Sequence, residues 1–133
     1  MDGIDALMND IQAVAELPGE VTDEILLAEA AVVERAQRKK AREYGVHRSG
    51  VTLESIGPTE PKSSGIGGAS IYVYPQGVNA DGNRNAEVAF VNEYGKRGQP
   101  PRPFIKAANE ECADEAVEAA TRVYDNFLKS KNL

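Results

Sequence analysis

From Phe104 to Ser130 one apolar line runs unbroken: Ile105, Ala108, Cys112, Ala116, Ala119, Val123 and Phe127, at spacings of three and four. That period is the signature of one face of an α-helix. At about 1.5 Å per residue such a helix is about 40 Å long. A compact chain of 133 residues has a radius of gyration of about 14 Å and so a diameter of roughly 36 Å. The helix is therefore as long as the domain is wide. Either it packs along the whole body or its end projects toward something else.

The rest of the chain is arranged around that helix. Ile4, Leu7, Met8, Ile11, Val14 and Ala15 predict a short amphipathic helix over 4–17, ended by Pro18-Gly19. Thr22 is placed to cap a second helix, with Asp23 and Glu24 where the helix dipole favours negative charge. Ile25, Ala28, Val32 and Ala36 form its apolar line, and it runs to about Tyr44 with Gly45 as its stop. Residues 57–68 are crowded with Gly, Pro and Ser and read as an exposed flexible loop. Ala69 to Tyr74 is β-branched and aromatic and reads as a strand. Pro75 to Asn85 contains Asp81-Gly82 and several asparagines, and reads as a second flexible loop. Residues 86–94 fit a strand through Val88 and Phe90, or a short helix capped by Asn85 and stopped by Gly95; the helix is favoured.

These elements predict one α+β domain over 1–133, the short helix of 1–19 preceding a body of 20–133. In that body a long helix in the N-terminal half and a long C-terminal helix pack on a small antiparallel sheet with flexible loops. With three Phe, five Tyr and no Trp, its core must be aliphatic and alanine-rich. No apolar run approaches the ~18 residues of a membrane span, and the acidic N-terminus lacks the pattern of a secretory signal. A single cysteine forms no internal disulfide and suits a reducing cytoplasm.

The net charge is −6, unevenly spread. Residues 1–34 hold nine acids and no Lys or Arg, whereas residues 35–62 hold seven bases against three acids. Such segregation fits pairing of the acidic end of one copy with the basic middle of another, or simply solvated helix faces.

Little in the sequence supports catalysis. His47 is the sole histidine, and Val46, Arg48 and Ser49 give no local sign of a triad. Cys112 lies on the apolar line of the last helix and reads as a buried small hydrophobe. One His and one Cys fall short of a closed zinc site. Glu110-Glu111 and Asp114-Glu115 lie on a helix and lack the loop geometry of calcium sites. Neither Gly65-Ile66-Gly67-Gly68 nor Gly95-Lys96 has the spacing of a phosphate-binding turn. We therefore expect no catalytic residues, no metal and no cofactor. Arg35, Arg38, Lys39, Lys40 and Arg42 are the one nucleic-acid candidate. The favoured reading is that they complement a helix C-terminus and keep that end soluble, and a pI near 4.8 argues against a dedicated binder.

An ordered set of short motifs completes the reading. His47-Arg48-Ser49-Gly50 and Leu53-Glu54-Ser55-Ile56 follow the long helix. Phe90-Val91-Asn92-Glu93-Tyr94-Gly95 comes next, then Gln99-Pro100-Pro101-Arg102-Pro103-Phe104-Ile105-Lys106-Ala107-Ala108. Over roughly residues 20–130 this resembles the neck or tail-completion family of long-tailed bacteriophages, also described as head–tail joining or minor tail components. That family has a helix before an Arg-(Thr/Ser)-Gly turn, a Val-Glu-(Phe/Tyr)-Gly element, an Arg-Pro-Phe motif and a closing helix. The matching positions are Arg48, Ser49 and Gly50, then Glu93, Tyr94 and Gly95, then Arg102, Pro103 and Phe104. Asn92 departs from the pattern by separating Val91 from Glu93, and Ala107 stands where a proline is common.

The resemblance implies a structural virion protein, made in the host cytoplasm and built into the neck or tail region. Its partners would be identical subunits in a ring and other neck, connector or tail proteins, with DNA passing or weakly touched and no membrane. Two rival expectations are an adaptor that binds DNA or a host protein, and a small enzyme. Read physically, Arg48-Ser49-Gly50 makes a tight turn, and Pro101 and Pro103 hold an extended lead-in. Phe104 opens the last helix as its largest anchor. Glu93 has three readings: paired with Arg48, paired with Arg102, or solvated.

Overall fold

A computed structural model describes residues 18–46, 53–63 and 69–131. The expected helix over 4–17, His47, the Arg48-Ser49-Gly50 turn and Gly65-Ile66-Gly67-Gly68 lie outside the described residues. Helix α1 spans Gly19–Glu43, α2 spans Asn85–Tyr94 and α3 spans Phe104–Ser130. Between α1 and α2 come a 3-10 turn, Leu53–Ser55, and strands β1 (Ile56–Pro58), β2 (Lys62–Ser63), β3 (Ala69–Ser70) and β4 (Val73–Pro75). The architecture is α+β, with two long helices packed together and a small antiparallel sheet against them.

The start of α1 differs from expectation. Pro18, with ψ 144°, is the capping residue, and its carbonyl accepts the N–H groups of Val21 and Thr22 at 3.0 and 3.1 Å. Thr22 lies inside the helix, and its hydroxyl donates back to Pro18 O at 3.4 Å. A proline tolerates the cap because it has no N–H to leave unsatisfied. At the other end, Gly45 adopts φ 71° just beyond Glu43 and Tyr44, the expected stop.

The two long helices run antiparallel. Arg35 pairs with Glu115 at 3.3 Å, while Lys39 and Lys40 reach Glu111 at 3.1 and 2.7 Å, so rising numbers on α1 meet falling numbers on α3. Val32, Cys112 and Ala119 are buried between them, flanked by Ala28, Val33, Ala36 and Ala116. Small side chains let two helix backbones approach closely over a long seam. The long helix thus packs along the body. Cys112 is buried as expected, and burial pushes its thiol up from the ordinary value. A second cluster, Ala41, Val46, Ile56, Ala89 and Phe104, joins both long helices to β1 and α2.

The region read as a loop, 57–68, carries strands in its described part. β1 pairs with β4 through Ile56↔Pro75, Gly57↔Tyr74 and Pro58↔Val73, and β2 pairs with β3 through Lys62↔Ser70 and Ser63↔Ala69. Ala69–Tyr74 is accordingly two short strands and not one. The break has a cause: Thr59 N–H still bonds Tyr72 O at 2.8 Å, but then Glu60 and Pro61 stand opposite Ile71 alone. The extra residue makes a bulge, and Pro61 has no N–H to carry the ladder through it.

The second expected flexible loop is also tied down. Asn79 Oδ1 accepts the N–H groups of Asp81 and Asn83, both at 3.0 Å, and Val78 bridges Arg84. Asn85 begins α2 without capping it; it is buried, and its amide donates to Gln76 O at 2.8 Å. Residues 86–94 are helical.

Polar side chains fix α1 on the sheet. Arg38 donates to Leu53 O at 3.1 Å and Ile56 O at 2.9 Å. Gln37, 1% exposed, donates to Val73 O at 3.1 Å. Phe104 is fully buried where both long helices meet the sheet. Phe104→Ala is expected to cost about 3–5 kcal/mol, read from the urea midpoint; a loss under about 1 kcal/mol contradicts its place in the core.

The clamp between α1 and α3 also sets a pH response. Hydrogen bonds from Lys40 and then Lys39 hold the Glu111 carboxyl below its usual value. The same contact, with Glu43, raises Lys40. A depressed carboxyl contributes stability above its unfolded pKa of about 4.3 and loses it as pH falls through the folded value. A raised lysine keeps its contribution until far into the alkaline range, so the clamp opens on the acid side. Glu111→Gln is expected to flatten the fall in stability below about pH 4.3, measured by urea titrations at several pH values. An unchanged slope excludes this pairing as its source.

Candidate functional site

The first turn of α3 presents N–H groups with no partner inside the helix, and Pro103, the residue before it, has no side chain able to cap. The acceptor comes from elsewhere. Glu93, in the last turn of α2, takes Ile105 N–H on one carboxylate oxygen at 2.9 Å and Lys106 N–H on the other at 3.0 Å. A negative charge at a helix N-terminus is stabilised further by the helix dipole. Glu93 is thus not simply solvated but engaged by the α3 backbone, a contact that none of the three sequence readings contained; the reading that pairs it with Arg48 lies outside the described residues.

Around this contact the expected motif residues form one knot. Gly95 closes α2 with φ 79°, its N–H bonded to Val91 O at 2.8 Å. A Cβ there would lie 2.8 Å from Gln99 O and 2.9 Å from Pro101 N, so the returning chain leaves room for glycine alone. Lys96 and Gln99 exchange main-chain bonds at 3.0 and 2.9 Å to turn the chain around. Arg102 N–H then bonds Asn92 O at 2.6 Å. Asn92, 1% exposed, donates to Val88 O at 2.9 Å, and its Oδ1 accepts Gln99 Nε2 at 3.4 Å. The structure therefore joins Glu93, Gly95, Arg102, Pro103 and Phe104 into a single unit that docks α2 on α3. Asn92, a departure from the motif, is one of its buried ties; its position between apolar Val91 and the capping Glu93 was the available signal.

What the knot presents outward is apolar. Tyr94 and Phe90 are 68% and 63% exposed, and their rings meet at 4.8 Å between centroids with 49° between planes. Their spacing of four along a helix was legible as a surface aromatic pair, but Phe90 was read with Val88 as evidence for a strand and as the start of the Phe-Val-Asn-Glu-Tyr-Gly motif. The pair forms one wall of an open groove of about 780 Å³, whose other walls include Tyr74, Pro101, Pro103 and Ile105. Its volume is within the range of about 300–1,000 Å³ seen for binding clefts. Lys106, Asn109 and Glu110 supply its polar border. Exposed aromatics gathered in one place mark contact surfaces more often than isolated apolar residues do.

The basic run of α1 is differently employed. Arg35, Lys39 and Lys40 pair with acids of α3, and Arg38 is bonded to the Leu53 and Ile56 carbonyls. Among the described residues no cluster of three or more His, Cys, Asp or Glu is placed to hold a metal, and no helix is long and apolar enough to cross a membrane.

Removing the Glu93 carboxylate exposes the cost of the missing cap. Glu93→Ala is expected to lose about 1–2 kcal/mol, and Glu93→Gln, which keeps one acceptor oxygen, less. Urea denaturation checks the order; wild-type stability in Glu93→Ala refutes the capping role. Comparison with protein-family models, curated proteins and solved structures gives no match for the chain.

Proposed function

We propose that this chain is a structural component of a tailed-phage particle, in the neck or tail-completion layer where head and tail join. Copies assemble into a ring and bind neighbouring neck, connector or tail proteins. The observation that carries the reading is the groove walled by Phe90 and Tyr94. A knot of hydrogen bonds holds an exposed aromatic surface in place, an arrangement suited to gripping another protein. The knot is built from Glu93, Gly95, Arg102, Pro103 and Phe104, the positions on which the family resemblance rests, so the motif has a physical purpose in this chain.

The adaptor reading, in which α1 binds DNA, draws less support. Arg35, Arg38, Lys39 and Lys40 are already engaged with protein acceptors, and phosphate contacts would have to displace them. For an enzyme, the histidine and cysteine chemistry is confined to His47 and a buried Cys112.

Deleting the gene from its phage tests the assignment. The expected result is filled heads and tails that fail to join, seen by electron microscopy, with the protein present in purified wild-type particles. Infectious, fully joined particles without the protein would refute it.

A further inference from the structure

We propose that the groove beside Phe90 and Tyr94 receives residues 4–17 of a second copy of this chain. The proposal rests on the ring-forming reading above and names the contact by which one subunit holds the next.

The first argument is chemical fit. Ile4, Leu7, Met8, Ile11 and Val14 fall on one face at helical spacing, an apolar stripe that a helix must bury. The groove offers the complementary surface: two exposed rings tilted against each other, with Tyr74, Pro101, Pro103 and Ile105 also lining it. An amphipathic helix laid into such a cleft is a recurrent mode of recognition.

The second argument is charge. Residues 1–17 carry Asp2, Asp5, Asp10 and Glu16 and no base. Lys106 borders the groove, and the turn leaving Tyr94 carries exposed Lys96 and Arg97. Two carboxylates line the groove, Glu110 and Glu93, the latter bonded to two backbone amides at the positive end of the α3 dipole, so the three bases outnumber the opposing charges.

The third argument, reach, decides which copy supplies the segment. The groove lies at the start of α3, where Asn109 faces Gln37 and Glu111 faces Lys40. Residues 4–17 join the body at Pro18, the opposite end of α1. From Pro18 to the level of Gln37 is about 28 Å of helix, whereas a helix of residues 4–17 is about 21 Å long. Folded back along its own α1, the segment stops short. A neighbouring subunit has no such restriction, and a contact between two different surfaces of identical copies is the kind that closes into rings.

Two full-length variants test this. One carries Leu7→Asp and Ile11→Asp in the segment; the other carries Phe90→Ser and Tyr94→Ser in the groove, both exposed positions. Light scattering after size exclusion gives the mass of each, and circular dichroism confirms folding. The wild type is expected to form multimers and each variant alone a single chain. An equal mixture is expected to give a dimer and nothing larger, because only one intact groove then meets one intact segment. Either variant keeping the wild-type mass, a mixture that stays single-chain, or a wild type that never associates overturns the proposal. Particle incorporation separates this result from the wider reading. If both variants still enter infectious particles at wild-type levels, this contact is wrong while the neck assignment stands. If the contact is found but the protein is missing from particles, the neck assignment is wrong.

Discussion

The carboxylate of Glu93 on the first turn of α3 is the contact through which the rest of the domain is registered. Helix caps are ordinarily supplied by the residue next to the helix. Here the neighbour is Pro103, and the cap comes from a separate helix, so capping α3 and docking α2 are one event. Because two adjacent amides are held by two oxygens, both the position and the rotation of α2 are set. Gly95 and Asn92 follow from that choice: the chain must leave α2, turn and come back within a few residues to begin α3. Only a positive-φ residue without a side chain fits the crossing, and the buried Asn92 side chain ties the Val88 carbonyl of its own helix to the Gln99 side chain of the returning turn.

The long seam between α1 and α3 relies on a different balance. Its buried residues are mainly Ala, Val and Cys, which bring modest apolar area per residue. Length compensates, and the bases of α1 facing the acids of α3 fix the sliding register that small side chains specify weakly. Such half-exposed pairs add little to stability individually; their larger effect is to disfavour wrong alignments. The uneven charge along the chain, which fits contact between copies or solvated helix faces, is thus partly satisfied within one copy.

The long helices were legible because periodicity reports burial directly, and the stripe from Ile105 to Phe127 is repeated enough to be unambiguous. The last helix begins at Phe104 and ends at Ser130, as the spacing implied. Boundaries set by backbone hydrogen bonds were harder. Thr22 has the composition of a cap, yet Pro18 holds that role, since the deciding factor is the conformation of Pro18 and not side-chain chemistry. The strands around Gly57 and Lys62 were hidden because a pairing two or three residues long has no period to detect. In the site, the motif residues were recognisable as a group, but their joining was not. A carboxylate bonded to amides twelve and thirteen residues away has no sequence signature.

The hairpin between α1 and α2 has a bearing on how such molecules behave when crowded. β1 and β4 each finish on a proline, Pro58 and Pro75, and Pro61 sits in the bulge between the two ladders. Every one of these residues withholds a donor that a stray strand would otherwise recruit. With its ribbon chopped into pieces of two or three residues, the molecule is a poor template for runaway strand addition. Adjacent molecules are left to recognise each other by the shape and charge of their side chains, and those interactions have a defined stoichiometry that an open ladder lacks.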